Sequence, residues 1–172
     1  MTVTLLGIAG CMAVSHSPVN KTAALQLAKE WNEMVFEKGG CLCGSQDWRP
    51  NCSFEGSIFT YGLKDEWEAF SARPLSQTVP FLTGCIDSTR ETRVHTCPFQ
   101  MAIEGEAAVY FLQHLLHANW IEYRGDNRVI QEGIVTHRKH HQNAIRHVLA
   151  DAGAREELKR YFLEIWRSRE KR

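Results

Sequence analysis

The sequence predicts an α+β fold, with a small central sheet flanked by helices and two C-terminal amphipathic helices closing one side. Three observations predict it. Residues 2–9 (Thr-Val-Thr-Leu-Leu-Gly-Ile-Ala) are β-branched and apolar without alternation, which suits a strand buried on both faces. Ala24, Leu27, Ala28, Trp31, Met34 and Val35 recur at helical spacing and make one apolar stripe. Leu158, Tyr161, Phe162, Ile165 and Trp166 do the same near the end of the chain.

The first helix is expected after Asn20, a good N-cap, and ends at Lys38-Gly39-Gly40. There a cation meets the negative pole of the helix and glycine can turn left-handed. A cysteine-bearing loop fills 40–56, followed by a short strand at Ser57–Tyr61 and a helical turn at Lys64–Phe70. Between Pro74 and Pro98 the β-branched content suggests strands at Val79–Ile86 and Thr92–Thr96. Pro98 then opens a long helix, about Phe99–Ala118, because proline is tolerated in a first turn. Trp120–Arg124 and Arg128–Gln131 flank Gly125-Asp126-Asn127 and read as a β-hairpin. A helix over Thr136–Asp151 is broken at Ala152-Gly153, and the final helix follows.

At 172 residues the chain fits a single domain, with an α+β body over 1–136 and a basic helical pair over 137–172. Net charge is zero but uneven. Residues 1–136 hold 10 Lys+Arg against 15 Asp+Glu, whereas residues 137–172 hold 10 against 5 and half of the eight histidines. A basic tail of this kind meets phosphates or an acidic partner, or neutralises the protein's own acidic body. No run of 18 apolar residues indicates a membrane span. The apolar start lacks a cationic flank, so it reads as a strand and not as a leader, and a cytoplasmic location is expected. Six cysteines in that compartment are expected to be thiols or metal ligands.

Zinc is the cofactor these residues suggest. Thiolates and imidazoles are its preferred donors, and four of them close a structural site. Cys41 and Cys43 sit one residue apart in a glycine-flanked loop, and Cys52 follows. His95 and Cys97 repeat the one-residue spacing, and His137 and His141 lie one helical turn apart. The favoured set is Cys41, Cys43 and Cys52 with one or more of Cys97, His95, His137 and His141. The bland alternative is that the cysteines are small core hydrophobes and the histidines are satisfied core residues.

Residues 111–134 run Phe-Leu-Gln-His-Leu-Leu-His-Ala-Asn-Trp-Ile-Glu-Tyr-Arg-Gly-Asp-Asn-Arg-Val-Ile-Gln-Glu-Gly-Ile. This stretch resembles the recognition helix and wing of winged-helix DNA-binding domains. The resemblance implies a helix through Leu112, Leu115 and Ala118, a first wing strand at Trp120 and Ile121, and a wing carrying Arg124 and Arg128. It departs from the pattern in its helix, which carries Glu104 and Glu106 and almost no cations. Phosphate contacts would come from Arg124, Arg128, Arg138, Lys139 and Arg146. The partner expected is thus nucleic acid or another protein, with a homodimer through the final helix as a further option.

The enzymatic alternatives rest on less. Ser15-His-Ser-Pro-Val-Asn20-Lys21-Thr22 resembles the phosphate loop of P-loop proteins in length, with Lys21 and Thr22 in the lysine and hydroxyl positions, but both glycines of that motif are missing. A zinc hydrolase would use His137 and His141 with an open position on the metal. Its acid or base would come from Glu104, Glu106 or Glu132.

Overall fold

A computed structural model of the chain describes residues 18–42, 59–61, 64–96, 100–123 and 145–171. The α+β expectation holds: helices cover a four-stranded mixed sheet. The expected strand at 2–9 lies outside the described residues, as do Cys43, Cys52, Cys97, Arg124, Arg128, Glu132, His137, Arg138, Lys139 and His141.

Helix α1 spans Pro18–Asn32. It begins at proline, whose missing N–H costs nothing in a first turn, and not after Asn20 as its cap. Lys21 and Thr22 therefore lie within the helix. A π-helical segment, Glu33–Lys38, continues it, and the Gly39 N–H reaches back five residues to the Met34 carbonyl at 3.0 Å. Gly39 takes φ +70°, and a Cβ there would sit 2.2 Å from the Arg93 carbonyl oxygen. Glycine is required on both counts. Of the expected stripe, Leu27, Trp31, Met34 and Val35 are buried, whereas Ala24 and Ala28 are exposed.

Strand β1 is Gly40–Leu42, β2 is Phe59–Tyr61 and helix α2 is Lys64–Ser71. Helix α3, Leu75–Cys85, overturns the strand expected at Val79–Ile86. The reason is periodicity. Val79, Leu82, Thr83 and Ile86 are the buried positions, at i, i+3, i+4 and i+7. Pro80 interrupts the backbone ladder, and the Thr83 hydroxyl donates to the carbonyls of Val79 and Pro80, each at 2.9 Å.

Strand β3, Glu91–Thr96, lies where a strand was expected. Strand β4, Gln100–Ile103, does not. Those residues were expected in the helix opened by Pro98, but helix α4 is Glu104–Leu115. The α4 N-terminus is satisfied by the preceding loop, since the N–H groups of Glu104 and Gly105 donate to the carbonyls of Arg90 and Ser88 at 2.8 and 2.9 Å. A Cβ at Gly105 would lie 2.5 Å from the Ile86 carbonyl oxygen, so glycine sets this close approach. From Gly105 to Gln113 the helix is buried on every side and forms the axis of the core.

Trp120–Glu122 is a turn of 3-10 helix, not the first strand of a hairpin. The rest of that hairpin lies outside the described residues. Helix α5 occupies residues 145–150 and buries Ile145, Val148 and Leu149. Helix α6 is Ala152–Glu170. The break between the two falls at Asp151, one residue earlier than expected, because the Asp151 carboxylate caps α6 by accepting from the Ala154 N–H at 2.7 Å. Leu158 and Phe162 of α6 are fully buried in the core that also holds Trp31, Phe70 and Phe111. Its aromatic stripe thus packs on its own chain, leaving Tyr161, Ile165 and Trp166 half-buried.

The sheet order is β2-β1-β3-β4, with the central β1–β3 pair parallel and both outer pairs antiparallel. Thr92, Val94 and Ala102 are buried, so one face of the sheet covers the core.

Candidate metal centre

Alternation along the strands gives the opposite face a different character. Side chains one position from a buried strand residue point away from the core. In β3, His95 follows buried Val94; in β4, Met101 precedes buried Ala102. The registers join these positions across the sheet: Cys41 of β1 is opposite His95 of β3, and His95 is opposite Met101 of β4. Tyr61 of β2 is opposite Cys41 on the other side. One row across the sheet therefore reads Tyr61, Cys41, His95, Met101.

The Cys41–His95 pairing brings together two residues that the sequence offered as members of different ligand pairs. Adjacent strands lie about 4.8 Å apart. Two donors on a tetrahedral zinc, at about 2.0–2.3 Å from the metal, are about 3.5 Å from each other. Side chains rising from neighbouring strand positions on one face meet that spacing with a small inward lean. Both residues are half-buried and Met101 is 44% exposed, so this face is open in part and is not sealed by the core. No group of three or more His, Cys, Asp or Glu side chains that would hold a metal occurs among the described residues. Completing a zinc site from this pair calls on residues outside them.

Cys85, a second thiol, is different in kind. Burial pushes it up to about 12, and the Glu104 carboxylate beside it adds to the effect. A thiol held protonated in this way is neither a nucleophile nor a ready metal ligand.

Two of the three carboxylates offered as acid or base, Glu104 and Glu106, are committed elsewhere, and Glu132 lies outside the described residues. Glu104 accepts from Trp31 Nε1 at 2.8 Å. Glu106 is fully buried and accepts from the Tyr110 hydroxyl at 3.2 Å and from Arg146 Nε at 3.1 Å. Burial, and then the charge of Glu106, hold the Tyr110 phenol well above its ordinary range. Arg146, a candidate phosphate contact, spends its guanidinium on Glu106 and on the Met101 carbonyl, which it reaches at 2.5 Å. Sequence reasoning missed this pairing because the partners lie 40 positions apart and nothing in their local sequence signals it.

In the described part of the basic C-terminal stretch, several cations are similarly engaged. Helix α6 holds five cations and four carboxylates. Arg155 donates to Asp87 at 3.2 Å, Lys159 bonds Asp87 and Glu156, and Arg169 donates to the Leu116 carbonyl. Part of the charge that looks like a patch in the sequence fastens α6 to the body. Among the described residues no helix is long and apolar enough to cross a membrane.

Three comparisons with known proteins set these features in no family. No family model, no curated protein and no solved structure matches the chain.

Proposed function

We propose that this chain is a zinc-stabilised, non-enzymatic binding protein of the cytoplasm. The observation that carries the reading is the register that sets Cys41 opposite His95 on the open face of the sheet. Cys43 and Cys97 lie two residues further along the chain from each of them. Cys41, Cys43, His95 and Cys97 supply three thiolates and an imidazole, a common structural zinc set. Cys52, His137 and His141 are the alternatives for the fourth position.

A thiolate-rich site favours a reducing compartment, which supports the cytoplasmic assignment. Arg124, Arg128, Arg138 and Lys139 are the cations the partner would meet, and a nucleic-acid phosphate backbone is the chemistry they suit. The commitments of half-buried Glu104 and buried Glu106 weigh against the hydrolase alternative.

The test is elemental analysis of the purified protein together with thermal melting of Cys41→Ser. About one zinc per chain, and a lowered melting temperature in the variant, are expected. Absence of metal with an unchanged melting temperature would remove the reading. Binding to nucleic acid must weaken steeply as salt rises, and salt-insensitive binding would reassign the partner to protein.

A further inference from the structure

We propose that the open face of the sheet also binds monovalent copper, through Cys41 Sγ, the His95 imidazole and Met101 Sδ, in competition with zinc. This inference rests on the Cys41–His95 pair used by the zinc reading and adds one residue that zinc does not use. The row across β1, β3 and β4 places a thiol, an imidazole and a thioether side by side on three neighbouring strands. Met101 is 44% exposed, and it and Leu25 are the exposed large hydrophobic residues among those described. Leu25 lies on α1, whereas Met101 lies beside an imidazole in register.

Thioether sulfur is a poor zinc ligand but a good one for soft ions. A thiolate, a thioether and an imidazole together make a soft, low-charge set that suits copper in its monovalent state. A three-coordinate site also fits the geometry. The central donor, His95, is flanked by sulfur donors on both neighbouring strands, and the flexible methionine side chain can lean over it. Binding exchanges the Cys41 thiol proton, which leaves to solvent, for the copper ion, with no change in oxidation state. Arg146 donates to the Met101 carbonyl, which holds the backbone from which the thioether rises.

The experiment is an anaerobic titration of the full-length protein with monovalent copper against a chromogenic copper chelator. Zinc content is measured on the same samples. The wild-type chain is expected to take up one copper per chain and to release zinc as it does so. Met101→Leu keeps the volume and removes the sulfur; it is expected to weaken copper binding by about tenfold or more, since even outer-sphere changes cost about that much. Its zinc content and melting temperature should stay at wild-type values. Equal copper affinity in wild type and Met101→Leu would overturn the assignment of Met101, and no copper uptake by the wild type would overturn the site. Zinc retained in either case leaves the zinc reading standing, whereas a chain that binds copper through Met101 but never zinc would remove that reading alone.

Discussion

Single residues carry unusual weight where a charge or a backbone is enclosed. Glu106 is the clearest case, because its carboxyl group is fully buried and is held by Tyr110 and Arg146. Removing one partner of a buried pair strands the other. Arg146 is 37% exposed, so the loss should fall below the range for fully buried pairs. Arg146→Ala is expected to cost about 2–3 kcal/mol in chemical denaturation, and Glu106→Gln in the same background should recover part of it. A double variant no more stable than Arg146→Ala would show that the pair is not what the substitution breaks. Gly39 makes the second case. Its positive φ and its contact with the Arg93 carbonyl forbid a side chain. Gly39→Ala should destabilise by more than the 1 kcal/mol or so of strain alone, because the β1–β3 join must also shift.

Elements are held by their ends. Asp151 begins α6, and Asp151→Ala should cost about 1 kcal/mol, read as a shift of the denaturation midpoint with an unchanged slope. Asp87 ties the end of α3 to Arg155 and Lys159 of α6, and Glu30 ties α1 to Arg73 beyond α2. The Lys159 ammonium holds the Asp87 carboxyl below its ordinary range, and the Arg73 guanidinium does the same for Glu30. A carboxyl group lowered in the folded state stabilises it above the unfolded pKa, and this contribution is lost as pH falls through the lowered folded value. Melting temperature should therefore drop below about pH 4, and Asp87→Asn with Glu30→Gln should flatten that drop. The effect should be modest because both carboxylates are partly solvated. These helices were largely legible in the sequence, as α1 and α6 announce themselves by an apolar stripe at period 3.6. Residues 79–86 were not, because Val79, Thr83 and Ile86 carry strand preference while their burial follows a helix. Residues 100–103 were misread because Pro98 signals a helix start, yet the helix waits for the Glu104–Glu106 turn. Trp120 looked like strand by composition, but packing into the core placed it in a tight turn. The Cys41–His95 pairing could not be read at all, since strand register is a property of the assembled sheet.

At the scale of the whole molecule, one buried cluster runs from Leu27 of α1 to Phe162 of α6. Helix α6, within the basic C-terminal stretch, belongs to that same body, with Arg155, Lys159 and Arg169 as its fastenings. Joining the centre of the sheet is another matter. Cys41 and His95 are paired although 54 positions separate them in the chain. Bringing such distant segments together costs about 3–4 kcal/mol of loop-closure entropy before any contact repays it. Sheets joined this way form late and slowly, behind the local helices. A metal ion held between the two segments would close that loop before the core packs. Refolding from denaturant should therefore be faster with one equivalent of zinc than with chelator, and equal rates would place the sheet's closure after the rate-limiting step. The register at the centre of this sheet would then set the speed at which the protein reaches its native state, as well as its stability once there.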